Sequence, residues 1–276
     1  MPAPTPPEAK RLREKVECDS GSRGRANSEL DVRRRALDVG FRSTKRSTLN
    51  SQRPIHFMPI TVTDYLDVVS SWCFWSEPTW AELKKRYEGR VKFQWKIALM
   101  DSSGLPTSRE QEQWFYRRSG MMMRSSFMLN TDWYDPSLPE WLAPNCLAEA
   151  AKDFGFTDDR VRLALARAAL REGKEIADWD VAAQVGAEAA EIETPKLLER
   201  AKSSEIEQRV RASTAEFHAL QLTQRPAFVI DTEIGDRAVF SGIVKLEPLA
   251  ATIDSVLDDA AAYAAHKAHF GEPPAK

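Results

Sequence analysis

The feature that most constrains the fold is the order of the β-rich and helix-rich segments. Residues 60–69 (ITVTDYLDVV) are rich in β-branched side chains, which favour a buried strand. Residues 74–87 follow with the spacing of a helix, and residues 91–99 (VKFQWKIAL) alternate with the period of a second strand. Strand, helix and strand in this order predict a parallel crossover unit.

The middle of the chain, residues 104–221, has a different pattern. It is rich in Ala, Glu, Leu and Arg, and carries helix-start signals at Thr157, Asp178, Thr194 and Ser204. These signals predict about five helices. Its methionines and neighbouring aromatic residues suit either an adaptable pocket or a helical core, and we favour the core.

The β pattern then returns. Residues 226–231 and 237–240 predict two strands joined by a turn at Gly235-Asp236, and residues 246–266 predict a closing helix. The complete order predicts an α/β protein: a thioredoxin fold with an all-helical insertion between the two halves of its sheet. The predicted boundaries are residues 58–103 and 222–266 for the thioredoxin-fold domain, 104–221 for the insertion and 267–276 for a C-terminal tail.

Charge separates the first 57 residues from the rest. They hold 13 basic and 7 acidic residues, whereas the whole chain has a net charge of −2. This segment has no sustained apolar period, so it predicts a disordered basic tail. The overall charge gives no reason to expect a nucleic-acid partner, and no apolar run is long enough to span a membrane. The three cysteines, Cys18, Cys73 and Cys146, exclude a disulfide scaffold and a structural zinc site, and no metal is expected.

Two segments of the chain resemble a known family. Residues 67–75 (DVVSSWCFW) resemble the active-site turn of DsbA-type thioredoxin-fold proteins, which usually carry Cys-x-x-Cys there. Residues 224–230 (QRPAFVI) resemble the cis-proline strand of the same family, and the resemblance continues through residues 235–242. Because these motifs lie on both sides of the helix-rich block, the resemblance covers both halves of the predicted sheet.

The chain departs from this family at the first cysteine position, which is Ser70. Only Cys73 remains, and a hydroxyl cannot form a disulfide, so the dithiol cycle is unavailable at this motif. Serine at this position resembles a sister branch, the kappa-class glutathione transferases and the glutathione-dependent 2-hydroxychromene-2-carboxylate isomerases. In that branch the serine hydroxyl donates a hydrogen bond to the sulfur of glutathione.

The resemblance implies a thiol-handling oxidoreductase, transferase or isomerase. Ser70 and Cys73 would be catalytic, and Trp72, Arg225 and Pro226 would contact glutathione or another small thiol. The second partner would be a small electrophilic or disulfide substrate. Two alternatives stay open: a monothiol disulfide oxidoreductase that uses Cys73, and a non-catalytic peptide- or protein-binding module. The lack of a secretory signal favours the cytoplasm, and a homodimer is left open.

Overall fold

The computed structural model describes residues 60–101, 104–242, 245–272 and 274. The predicted basic tail, residues 1–57, lies outside the described residues, as does Cys18. The elements in chain order are β1 (Ile60–Leu66), α1 (Ser71–Arg86), β2 (Val91–Ile97), α2 (Arg109–Met122), α3 (Leu142–Ala151), α4 (Arg160–Leu170), α5 (Trp179–Ala190), α6 (Thr194–Ala201), α7 (Ser204–Ala219), β3 (Ala227–Asp231), β4 (Arg237–Ser241) and α8 (Leu246–Phe270).

Four strands form one sheet in the order β2-β1-β3-β4. β1 and β2 are parallel, with Ile60 opposite Val91, which confirms the crossover unit. β3 runs antiparallel to both β1 and β4, and Gly235 has a φ of 96° in the turn of the β3–β4 hairpin. Glycine suits that turn because a positive φ brings no steric cost there. The α/β class and the thioredoxin fold with a helical insertion are therefore confirmed.

Helices cover both faces of this sheet. On one face α1 and α8 contact each other and share a buried cluster that includes Trp80, Tyr87 and Leu249. On the other face α7 places Phe217 against Tyr65. Since β1 is covered on both faces, six of its seven residues are buried, including the polar residues Thr63 and Asp64. This arrangement leaves the end of β1, and the turn into α1, at the junction between the sheet and the insertion.

The insertion contains six α-helices among its described residues, one more than expected. Asp178 is confirmed as a helix start, because its carboxylate accepts hydrogen bonds from the N–H groups of Asp180 and Val181. The start predicted at Thr157 is wrong, since α4 begins at Arg160 after Asp159. The residues that cap α6 and α7 are Glu193 and Ser203, each one residue before the predicted caps Thr194 and Ser204. Both helices therefore begin one residue earlier than predicted.

Buried ion pairs attach the insertion to α1. The guanidinium of Arg162, on α4, donates to both carboxylate oxygens of Glu77 and lies 2.7 Å from a carboxylate oxygen of Asp159. Lys84 and the indole N–H of Trp80 also contact the Asp159 carboxylate. The carboxylate of Asp159 therefore contacts Trp80, Lys84 and Arg162, and it does not accept a capping hydrogen bond from its own helix.

Three further expectations need correction. α1 begins at Ser71 rather than at residue 74, because Ser70 already caps the helix. α8 continues to Phe270, beyond its predicted end near residue 266. The core interpretation of the apolar residues on and after α2 is wrong for Trp114, Met121, Met122 and Met128, which are all more than half exposed. α2 buries mainly the stripe of Glu112, Tyr116 and Ser119, so these other side chains have no layer above them.

Candidate active site

The turn between β1 and α1 places Ser70 at the N-terminus of a helix. Its backbone is extended (φ −70°, ψ 121°), and its Oγ accepts a hydrogen bond from the N–H of Cys73 at 3.4 Å. Serine is a preferred residue at this position because its side chain satisfies a free N–H of the first turn. The remaining N–H groups and the helix dipole favour negative charge beside Ser70.

Two buried polar side chains fix this turn. The carboxylate of Asp67 accepts hydrogen bonds from the N–H of Val69 at 2.9 Å and from the N–H of Met100 at 2.8 Å. The amide oxygen of Asn145, on α3, accepts from the N–H of Val68 at 3.1 Å. Asp67 thus joins the turn to the end of β2, and Asn145 joins it to the insertion. Sequence reasoning missed both residues, although a polar residue inside an apolar run was a usable signal for each.

Cys73 lies one turn into α1 and faces the interior. It is only 3% exposed, and burial raises the pKa of its thiol well above the usual range. The nearby carboxyl of Asp64 raises this pKa further, while contact with the Ser70 hydroxyl opposes the shift. The thiol is therefore protonated at neutral pH and shielded from solvent, which are the properties of an unreactive cysteine.

Asp64 is a second buried acid, in the middle of β1 opposite Phe228. Neither of its carboxyl oxygens has a hydrogen-bond partner among the described residues. Burial raises its pKa well above the usual range, and attraction to Arg162 only partly offsets this. Burial in the sheet therefore favours the neutral form of Asp64 over its carboxylate. The sequence held a signal for it, since this carboxylate stands within the β-branched run ITVTDYLDVV, which predicts a buried strand.

The peptide bond between Arg225 and Pro226 is cis, as the resemblance implied. Pro226 is buried immediately before β3, whose register places it next to the end of β1. The Arg225 guanidinium donates hydrogen bonds to the carbonyls of Ala98 and Leu99, the second at 2.8 Å. Arg225 thus secures the cis bond to the end of β2, and burial lowers the pKa of its guanidinium.

A cavity of about 280 Å³ opens at the N-terminus of α1, slightly below the usual size range for small-molecule sites. Its lining brings together three of the predicted site residues, Ser70, Trp72 and Arg225. Cys73 and Pro226 are buried behind this lining. The cavity also includes Glu112, which sequence reasoning missed because one glutamate on an exposed-looking helix carries no distinctive pattern.

Comparison with known proteins identifies the class. The sequence model of the DSBA-like thioredoxin domain matches residues 61–254. The chain therefore belongs to the DSBA-like thioredoxin family, a family of thiol oxidoreductases. A search of curated proteins found no match.

Solved structures share this fold at low sequence identity. The cytosolic disulfide reductase DsbM from Pseudomonas aeruginosa superposes with a TM-score of 0.59 at 17% identity, over 72% of this chain and 98% of its own. The same protein with GSH gives 0.57 at 16%, over 72% and 99%. A Nitrosomonas europaea protein, provisionally assigned as a protein disulfide isomerase, gives 0.58 at 16%, over 73% and 98%.

Two further findings concern the described part of the chain. None of its helices combines the length and the apolar character that crossing a membrane requires. Within the same residues, no group of three or more His, Cys, Asp or Glu side chains is placed to hold a metal ion.

Proposed function

We propose that this protein is an enzyme that binds glutathione or another small thiol with its sulfur at Ser70. The bound thiol then reacts with a small electrophilic or disulfide substrate by transfer, isomerisation or reduction. The observation that carries the proposal is the pairing of a hydroxyl at the helix N-terminus with a cavity directly in front of it. The site can hold a sulfur, and none of the described residues that line it carries a thiol.

The electrostatics of the turn support a thiolate at this position. Free N–H groups and the helix dipole stabilise an anion, and the Ser70 hydroxyl can donate a hydrogen bond to it. The thiol proton of the ligand passes to solvent when the thiolate forms. Each unit by which the thiol pKa falls corresponds to about 1.4 kcal/mol of preferential thiolate stabilisation.

The surroundings also suit a short peptide-like thiol. Gln224 and Arg225 line the cavity beside the cis bond, and exposed backbone next to a sheet can pair with an extended ligand. One structural neighbour, DsbM, was solved with GSH, which makes glutathione the first thiol to test.

The state of Cys73 favours this proposal over the monothiol alternative. A monothiol oxidoreductase needs an accessible thiol with a low pKa. Cys73 is buried, and its pKa is raised by burial and by the Asp64 carboxyl. Its thiol would need the helix turn to open before it could attack a disulfide.

Calorimetric titration of glutathione into the reduced protein tests the proposal. We expect binding that weakens at least about tenfold in Ser70→Ala and persists in Ser70→Thr, which keeps the hydroxyl and the cap. Ser71→Ala is the matched control, because it removes a neighbouring hydroxyl that lines the same cavity. Absence of binding to the wild type, or equal binding to Ser70→Ala, would contradict the proposal.

A further inference from the structure

The cavity in front of Ser70 contains a buried carboxyl group that no cation among the described residues neutralises. Glu112 projects from α2 into the lining and is only 6% exposed. It forms no ion pair with a described residue, and the one side chain that affects the pKa of its carboxyl is that of Tyr116. A carboxylate placed in such surroundings costs free energy unless a donor or a cation meets it.

The groups around Glu112 do not neutralise it. Tyr116 lies one turn along the same helix, close enough to lower the carboxyl pKa but without the geometry of a hydrogen bond. Tyr134 also faces it, and burial raises the pKa of both tyrosines, so neither is charged near neutral pH. Of the two arginines in the lining, Arg225 donates to backbone carbonyls, and Arg118 is exposed beside the rings of Trp114 and Phe115.

Burial therefore controls the ionisation of Glu112. It raises the pKa of the carboxyl to about 7, so the group is divided between its two protonation states at neutral pH. A cation that entered the cavity would shift this balance towards the carboxylate and release a proton.

Aromatic rings line the same cavity. Trp72, Phe115 and Trp133 all contribute to its wall. Ring faces attract organic cations, and they do so more strongly where water is excluded. A carboxyl group combined with several aromatic rings in one small cavity is the composition that recognises an alkylammonium group.

We propose that Glu112 and the surrounding rings form a recognition subsite for the ammonium group of the small molecule that binds at Ser70. The inference rests on the proposed function and narrows its ligand class to small thiols that carry an amine. Glu112 acts in binding: its carboxylate accepts a hydrogen bond from the ammonium while the thiol sulfur lies at Ser70.

Two matched ligands test this subsite. Glutathione carries a free ammonium group, and N-acetylglutathione replaces it with a neutral amide. At about pH 8, where Glu112 is ionised, we expect the wild type to prefer glutathione by about tenfold, the size of one charge-assisted hydrogen bond. The preference should shrink at about pH 5.5, where Glu112 is protonated. Both ligands share the same thiol, so the ratio of their affinities cancels any effect of pH on the sulfur.

Variants connect that preference to one residue. Glu112→Gln keeps the size of the side chain, and it should bind both ligands equally at either pH. Glu110→Gln, on the exposed side of α2, should retain the preference. Ser70→Ala should weaken the binding of both ligands by the same factor. A preference that survives in Glu112→Gln would overturn the subsite.

A thiol-free arm keeps the subsite testable if glutathione fails to bind. The carboxyl of Glu112 is titrated by NMR in the presence of n-propylamine or of uncharged n-propanol. Saturating n-propylamine should lower the pKa of Glu112 by at least about one unit, and n-propanol should not. If neither thiol binds but n-propylamine lowers the pKa of Glu112, the proposed function is rejected and the subsite is retained. An unchanged pKa would reject the subsite.

Discussion

Ser70 caps α1 and Cys73 lies in its first turn, but their environments are opposite. Ser70 faces the cavity, whereas Cys73 is buried behind it with its thiol pKa raised by burial. Ser70 lines the cavity but carries no sulfur, whereas Cys73 carries a sulfur but does not line the cavity. Under the proposed function, the helix N-terminus at Ser70 holds the sulfur of a ligand, because neither of the two cysteines in the described residues is exposed.

The two aspartates of the neighbouring strand and turn show a similar contrast. Asp67 accepts hydrogen bonds from two backbone N–H groups, so its buried carboxylate stabilises the turn. Asp64 is equally buried and has no hydrogen-bond partner among the described residues. Burial raises the pKa of both carboxyls, but hydrogen bonds oppose this shift only at Asp67, so substitutions can separate the two positions.

The largest effect is expected from Asp64→Asn. In the unfolded chain this carboxyl ionises above about pH 4, whereas burial raises its pKa in the folded protein. Folding of the wild type therefore becomes less favourable as the pH rises, by up to about 1.4 kcal/mol per unit until the folded pKa is reached. The variant should gain stability over the wild type with that slope.

Urea unfolding from about pH 5 to pH 8 measures this difference. Asp258→Asn, on an exposed part of α8, corrects for the loss of one negative charge. A stability difference that stays constant with pH would show that Asp64 ionises equally in both states, and the contrast with Asp67 would then fail.

Asp67→Ala should act in the opposite direction. It leaves the N–H groups of Val69 and Met100 without their acceptor, and we expect a loss of about 3 kcal/mol in the free energy of unfolding. Asp67→Asn keeps one acceptor oxygen and should lose less. Chemical denaturation of both variants checks the order, and a loss below about 1 kcal/mol in Asp67→Ala would mean that solvent replaces these bonds.

A smaller loss, about 1.5 kcal/mol, is expected for Arg225→Met. Methionine keeps much of the apolar stem over Phe217 and removes the hydrogen bonds to the Ala98 and Leu99 carbonyls. Thermal unfolding gives the change in stability. Unchanged stability together with weaker glutathione binding would instead assign Arg225 to the ligand, as the sequence resemblance implied.

Cys73→Ala should have the smallest effect. We expect about 1 kcal/mol of lost stability from the missing sulfur in the core, and less than about a twofold change in glutathione affinity. Calorimetric titration of glutathione into the variant gives its affinity, which is then compared with the affinity of Ser70→Ala. A loss of binding equal to that of Ser70→Ala would place Cys73 in the site and break the contrast between the two positions.

Much of the fold follows from local patterns. The β-branched run of β1, the alternation of β2 and the turn at Gly235 specify the strands and their order. The interpretation of Ser70 as a helix cap is confirmed, because the motif fixes its position before α1, while its thiol-binding role stays a prediction.

The rest depends on tertiary contacts that local patterns do not encode. The apolar residues Trp114 and Met121 suggest a core, yet no described element covers them. The sequence predicts Asp159 in the first turn of a helix, where an acidic side chain is favourable. In the structure its carboxylate instead contacts Lys84 and Arg162. Glu112 becomes a site candidate only because folding brings α2 against the turn at Ser70.

The most direct test of the central claim is the pKa of the glutathione thiol while it is bound. Ultraviolet absorbance of the thiolate, corrected for the protein alone, follows this titration in the wild type, Ser70→Thr and Ser70→Ala. We expect a bound thiol pKa at least about one unit below that of free glutathione in the first two proteins, and a smaller shift in Ser70→Ala. An equal pKa for free and bound glutathione, or an equal shift in all three proteins, would contradict it.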